Sequence, residues 1–331
     1  MRAFVCTTYG APALLSIEDR PDPTPGPGEV LLETEAVGLG YVDALFVAGT
    51  YQVKLPLPFI PGSEVAGRVI AVGARAPAGL VGRRVMALAP RGALAERIAL
   101  PAAACVPVPE AMSLEAAAGF IVSYCTALYG FRDCGSLQPG ETVLVLGAAG
   151  GVGMAAIDVA RAMGARGIAA ASSEAKRAAA RARGAEWVVD YQDPEWRKQL
   201  EPLTGRRDVD VVYDPVGGDF SETALRCLAP GGRHLVVGFA AGPIPRIPLN
   251  LVLLKRCSIV GVDWGGHIRA HPGANVPLLQ TLVEWAELGR IDPQPTRTFP
   301  FEEAPGVLQS LLDRTAVGKP VVSFRIGSTL L

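Results

Sequence analysis

The segment Ala148-Ala149-Gly150-Gly151-Val152-Gly153 constrains the fold of this chain most strongly. It follows an uninterrupted apolar run, Thr142 to Leu146, and opens a helix-like stretch from Met154 to Met163. Strand, glycine turn and helix in that order make an anion site. The glycines let backbone approach a pyrophosphate, and the unpaired N–H groups of the first helical turn point at the anion. A glycine-rich match alone is weak evidence, but the strand before it and the helix after it supply the context the chemistry needs. The alternative is a tight turn in which glycine serves packing only.

From about residue 120 the chain alternates between apolar runs and helical periodicity. Strands are expected at 142–146, 167–171, 186–189, 209–213, 233–237 and 257–262, with helices at 153–163, 174–183, 195–203 and 219–228. This alternation predicts an α/β fold, a doubly wound parallel sheet covered by helices on both faces. The first ~115 residues differ. Their apolar runs at 30–37, 65–72 and 84–89 are short and separated by Pro-Gly turns, which predicts a β-rich, barrel-like domain. Two amphipathic helices, at 276–289 and 302–313, lead to a last strand, 320–324, that would return to the N-terminal domain. A chain of 331 residues is long enough for two cores.

Composition narrows the partners. Half the residues are hydrophobic and the formal net charge is −1, so no basic excess points to nucleic acid and no charged tail to a protein partner. The longest uncharged stretches, 116–131 and 142–157, fall short of the ~20 residues of a membrane span. The N-terminus runs straight into a strand pattern, and the six cysteines form no C-x-x-C pair. The expectation is a cytoplasmic protein with reduced thiols and no membrane segment.

The tip of the second expected strand addresses the choice of nucleotide. A carboxylate about 20 residues past the glycines usually grips a free ribose 2′-OH. Here the tip reads Ser172-Ser173, followed by Lys176 and Arg177. Hydroxyls and cations suit a 2′-phosphate, so NADPH is the expected cofactor; the cations also read as an ordinary solvated helix face. Gly150, Gly151 and Val152 would meet the pyrophosphate. Tyr191 follows the third strand and reads either as an adenosine contact or as a capping aromatic. Gly238 and Phe239 follow the fifth strand, where backbone groups face the ligand crevice.

Taken together these segments resemble the medium-chain dehydrogenase/reductase superfamily and, within it, the zinc-independent NADPH:quinone oxidoreductases related to zeta-crystallin. The resemblance spans essentially the whole chain. It rests on Val37 to Asp43, Pro58 to Gly67, Ala148 to Gly153, Asp210 to Gly218, Ala229 to Arg233, and Gly318-Lys319. It implies a GroES-like catalytic domain of residues 1–122 and 264–331 around a Rossmann domain of residues 123–263, with the cleft between them. It also implies Thr126, Trp264 and Lys319 as further residues near the cofactor. Each has a plainer reading: a helix hydroxyl, a packing aromatic, a turn cation.

Zinc-dependent relatives carry a ligand Cys where Gly40 stands and a ligand His where Ser63 stands. Neither glycine nor serine is a useful zinc ligand, and the three histidines, His234, His267 and His271, lie outside those motifs. No metal is expected. Without a Lewis acid, hydride must go to an acceptor that delocalises negative charge itself, a quinone or an α,β-unsaturated carbonyl. Many relatives have Asn at the position of Gly40, so the missing side chain removes a polar contact and enlarges the pocket. Tyr41 and Tyr51 are the candidate catalytic donors to a developing oxyanion, with core-covering as the alternative for each. Asp43 reads as a loop-fixing acid. The expected activity is NADPH-dependent quinone reduction, with enal, enone or enoyl-thioester reduction as the second reading. An NADPH-binding sensory or structural protein with little turnover is the third. Relatives pair as homodimers through the edge strand at 258–263, and the same is expected here.

Overall fold

In the computed structural model, which describes residues 1–206 and 208–325, the chain divides into two units, 1–122 with 293–325 and 123–292 without residue 207. The first unit opens with strands β1 (Arg2–Val5), β2 (Ser16–Asp19) and β3 (Glu29–Gly38), then helix α1 (Tyr41–Ala48). Strands β4 (Glu64–Val72), β5 (Arg84–Leu88), β6 (Arg97–Pro101) and β7 (Cys105–Pro107) follow, then helix α2 (Leu114–Ala118). Helix α3 (Ile121–Leu128) begins two residues before the second unit, which continues through β8 (Thr142–Leu146), α4 (Gly151–Ala162), β9 (Arg166–Ala171), α5 (Glu174–Ala182) and β10 (Trp187–Asp190). It continues with α6 (Leu200–Thr204), β11 (Val209–Asp214), α7 (Phe220–Leu225), β12 (Leu228–Val236), α8 (Leu249–Lys255), β13 (Ser258–Gly261), α9 (Trp264–Ala270) and α10 (Asn275–Glu287). The chain returns to the first unit with β14 (Thr298–Pro300), α11 (Ala304–Leu312) and β15 (Val321–Ser323).

The second unit is built on a six-stranded sheet in the order β10-β9-β8-β11-β12-β13, and every pairing is parallel. Strand order reverses between β8 and β11, which places the switch point of a doubly wound sheet at the end of β8. All five residues of β8 are buried, as a central parallel strand requires. One core beneath this sheet gathers Leu144, Leu146, Ile168, Val189, Val212 and Leu225; each such side chain contributes roughly 1.5–3 kcal/mol on burial.

The first unit has a seven-stranded sheet, β14-β15-β3-β4-β5-β7, with β6 also paired to β3. Strand β15 lies antiparallel to β3, with Val322 opposite Val37, so the last strand completes the N-terminal sheet. Its core packs Val30, Leu32, Val37, Phe59 and Val65 against Phe301, Val307 and Leu308.

The return point is a correction. Residues 264–292 belong to the second unit, and the chain re-enters the first at 293, not at 264. Polar clasps hold this segment. Asp158, wholly buried on α4, accepts the N–H of Asp292 at 2.7 Å and the hydroxyl of Tyr124 at 2.9 Å. Arg161 donates to the carbonyl of Arg290, and Arg290 donates back to the carbonyl of Ala162. Leu278 and Leu282 of α10 are buried. The helix expected at 195–203 is also shorter: a 3-10 turn at Trp196–Gln199 precedes α6. Strand β12 starts at Leu228, five residues before the expected point, because a register shift lets Leu228 pair with Val209 ahead of the Arg233–Val211 register.

Candidate functional site

The turn after β8 is shaped by backbone contact. Gly147 has φ 57, and the carbonyl of Gly147 accepts the N–H of Gly150 at 2.9 Å. Gly153, one turn into α4, lies so close to the strand end that a Cβ there would stand 2.4 Å from the Gly147 oxygen. Only glycine permits this approach of helix to strand. Gly150 is the N-cap, and the first bond into α4 from Met154 reaches its carbonyl at 2.8 Å. The N–H groups of Gly151, Val152 and Gly153 are therefore the orphan donors of a helix start, aimed where the sheet order reverses. A glycine turn with these open N–H groups, and a helix start packed this closely on the strand end at Gly153, fits a pyrophosphate.

At the tip of β9 the hydroxyls have unequal duties. Ser173 is the N-cap of α5, its oxygen accepting the N–H of Lys176 at 3.4 Å, whereas Ser172 is half-buried with no such task. Arg177 is committed: it pairs with Glu174 at 3.0 Å and with Asp190 at 2.7 Å, and donates to the carbonyl of Ala171. Both nearby carboxylates are thus neutralised from within, so neither opposes a 2′-phosphate at a tip that also bears Ser172 and the half-buried Lys176. Tyr191 packs its ring on Phe220, with centroids 4.6 Å apart.

The loops after β11 and β12 are joined through Asp214. Its Oδ1 accepts the N–H groups of Val216 at 2.9 Å and Gly217 at 2.8 Å. Its Oδ2 accepts the hydroxyl of Ser221 at 2.5 Å and faces Nε2 of His234 at 3.0 Å. Its carbonyl accepts the N–H groups of Val237 and Gly238. Burial alone would raise this carboxyl, but hydrogen bonds from His234, Ser221 and Gly217 hold it below the usual range. Gly217, in the left-handed region at φ 70, has no room for a Cβ, which would meet the Phe239 ring at 2.8 Å. Val216 in turn lies 2.7 Å from where a Cβ on Gly147 would stand. The glycine turn, the 214–218 loop and the Gly238-Phe239 loop therefore form one packed rim.

Two predicted cofactor residues of this unit carry less. Trp264 is buried and donates its indole N–H to Asn275 at 3.1 Å, so its polar atom is engaged within the second unit. Thr126 is buried on α3. Sequence reasoning missed the Asp214–His234–Ser221 set. Its sequence signal is a histidine directly before the apolar residues Leu235-Val236-Val237 of a parallel strand.

In the first unit, Asp43 organises the loop from Gly40 to Tyr51. One carboxylate oxygen accepts the N–H of Gly40 at 2.8 Å, closing the N-terminus of α1, and the other accepts the hydroxyl of Ser63 at 2.9 Å. Tyr41, half-buried, is the first residue of α1; Tyr51 stands edge-on to Phe46 at 4.8 Å. Lys319 is not a turn cation: its ammonium pairs with Glu64, which also accepts the N–H of Val122 at 2.8 Å. That ammonium would lie 3.3 Å from a Cβ on Gly40. The pocket expected from the missing side chain is instead approached by the Lys319 ammonium. Burial pushes both Asp43 and Glu64 above the ordinary carboxylate range, and the Lys319 ammonium offsets only part of that rise. Among the described residues, no three of His, Cys, Asp or Glu gather as metal ligands.

Comparisons with known proteins agree with this architecture. Residues 26–110 match the alcohol dehydrogenase GroES-like domain, and residues 151–280 match the zinc-binding dehydrogenase family. The quinone oxidoreductase-like protein 2 of Rattus norvegicus is 36% identical over 325 residues, covering 98% of this chain and 92% of its own. The quinone oxidoreductase of Thermus thermophilus, solved also in complex with NADPH, superposes with a TM-score of 0.82 at 40% identity, over 98% of this chain and 100% of its own. The CurK enoyl reductase superposes at 0.84 and 28% identity, over 97% of this chain and 98% of its own. The chain belongs to the medium-chain dehydrogenase/reductase superfamily, in its zinc-independent quinone oxidoreductase-like family.

Proposed function

We propose that this oxidoreductase is an NADPH-dependent quinone reductase that works without zinc. The observation that carries the reading is the rim of the second unit: a glycine turn fitted to a pyrophosphate, beside a strand tip bearing Ser172 and Lys176 with its carboxylates already paired. Gly150, Gly151 and Val152 would hold the pyrophosphate, Ser172, Ser173 and Lys176 the 2′-phosphate, and the Gly238-Phe239 loop the nicotinamide half. When bound, NADPH supplies the hydride. The protein's own work is orientation and exclusion of water from the reacting atoms. Tyr41 and Tyr51, the proposed catalytic residues, would donate from their phenolic oxygens to the developing oxyanion, while Asp43 holds the start of α1 beneath Tyr41.

Likeness to an enoyl reductase favours a second reading, reduction of an activated carbon–carbon double bond. The Lys319 ammonium beside Gly40 favours a third, cofactor binding with little turnover. NADPH oxidation by purified protein against para-quinones, ortho-quinones, enals and an enoyl-CoA separates them. Turnover with quinones alone supports the first reading; turnover with the unsaturated carbonyls alone replaces it with the second. Tight NADPH binding without turnover leaves the third. Replacing Tyr41 and Tyr51 by Phe lowers turnover if they donate, and unchanged rates in both variants remove them from the mechanism.

Assembly as a homodimer is part of the proposal. Strand β13 is an edge of the six-stranded sheet, and Leu249, Leu253 and Leu254 of α8 are each more than two-thirds exposed. Exposed leucines beside an open sheet edge favour pairing with a second copy. Light scattering of wild type and Leu253→Glu tests it: a monomeric wild type rejects the dimer. The proposed compartment is the cytoplasm, supported by six cysteines that are all unbridged.

A further inference from the structure

His234 is an expensive residue for its place. It lies on β12 between Val212 of β11 and Ile259 of β13, and it has no exposed surface. One ring nitrogen, Nδ1, is buried without a partner. Leaving such a group unpaired costs stability that an aliphatic side chain in a central strand would not. The polar contact it does make is to Oδ2 of Asp214. An ionised carboxylate only accepts, so the partner assigns the proton to Nε2, which donates. The other three groups that face this carboxylate, the Val216 and Gly217 N–H groups and the Ser221 hydroxyl, are donors as well.

The consequence lies at the rim. Asp214 is almost wholly buried, so it offers nothing to a ligand directly. What it controls is the course of the 214–218 loop, held by its carboxylate, and of the 237–238 step, held by its carbonyl. These loops sit on the β11-β12-β13 side of the switch point, the half of a doubly wound sheet that takes the second mononucleotide. We propose that His234 is a positioning residue which, through Asp214 and together with Ser221, sets the rim loops for the nicotinamide half of the cofactor. The adenosine half, on the β8-β9-β10 side, is independent of it. This inference rests on the NADPH reading above and extends it to three residues within the sheet and α7.

The test measures binding of two ligands, NADPH and adenosine 2′,5′-bisphosphate, which keeps the adenosine 2′-phosphate end and lacks the nicotinamide. His234→Leu is expected to weaken NADPH about tenfold and leave the bisphosphate within about twofold of wild type. Ser221→Ala, a smaller change, is expected to weaken NADPH about threefold with the same indifference of the fragment. His234→Gln, which restores a terminal N–H for Oδ2, should recover most of the NADPH affinity. Equal weakening of both ligands in His234→Leu and Ser221→Ala would show a general structural role and overturn the proposal; so would NADPH affinity unchanged in both. Wild-type protein that holds neither ligand overturns the cofactor reading, and the proposal with it.

Discussion

Two buried polar clusters, one in each unit, are balanced in opposite ways. In the second unit a single carboxylate, Asp214, collects donors from two backbone N–H groups, a hydroxyl and an imidazole, and is held below the ordinary carboxylate range despite its burial. In the first unit two buried carboxylates, Asp43 and Glu64, face the one ammonium of Lys319, and burial pushes both upward. A carboxylate with enough donors can be a fixed strut for a ligand loop. Two carboxylates buried with a single cation between them hold a proton more tightly than they would in water, because desolvation outweighs the pull of the ammonium.

The sharpest way to break this contrast is to remove the cation. Lys319→Met leaves two buried acids without a counter-charge and should cost about 3–5 kcal/mol of stability; denaturant unfolding measures it. Adding Glu64→Gln to that variant should restore part of the loss, since one uncompensated charge is then gone. No recovery in the double variant would show that the lysine acts through packing alone.

A smaller effect lies in pH. For Asp43 and Glu64 the folded form binds protons more tightly than the unfolded chain, so their contribution falls as pH rises from roughly 4, the unfolded value, through the raised folded values. Asp214 has the opposite sign: its contribution is complete above the unfolded value and is lost as pH falls through the lowered folded one. Urea unfolding across pH should therefore show Glu64→Gln flattening the profile above roughly pH 4 and Asp214→Asn flattening it below. Flattening on the same side in both variants would erase the distinction between the clusters.

The smallest expected effect is at Gly40. Its backbone is extended, φ −119 and ψ 165, so alanine is sterically allowed there, and the atoms it would meet are the Lys319 ammonium at 3.3 Å and Oδ2 of Asp43 at 3.4 Å. Gly40→Ala should cost no more than about 1 kcal/mol by thermal melting. A larger loss would mean that the Lys319 ammonium cannot yield.

The α/β pattern of the second unit was legible because its signals are local. β8 is a run of apolar residues, its turn is a run of glycines, and both lie within a dozen positions of one another. The β-rich first unit was legible from the spacing of its Pro-Gly turns. What escaped depended on contacts distant in sequence. Lys319 meets Glu64 across 255 positions, so it read as a turn cation or a cofactor contact, and Gly40 read as open space. His234 and Asp214 lie 20 positions apart on neighbouring strands, and no periodicity announces that pairing. The domain return was set too early because the end of the sheet at β13 resembles an end of the unit. Asp158 and Arg161 of α4, which fasten residues 290–292, carry no motif.

The proposed reaction is hydride transfer from NADPH to a quinone in a site built without a metal. It is tested most directly by turnover of a para-quinone with NADPH carrying deuterium at the transferred position of nicotinamide C4, before and after exhaustive dialysis against a chelator. Turnover should be slower with the deuterated cofactor and equal on both sides of the dialysis. Activity abolished by the chelator and restored by zinc would contradict it, as would an enzyme that binds NADPH and leaves every quinone unreduced.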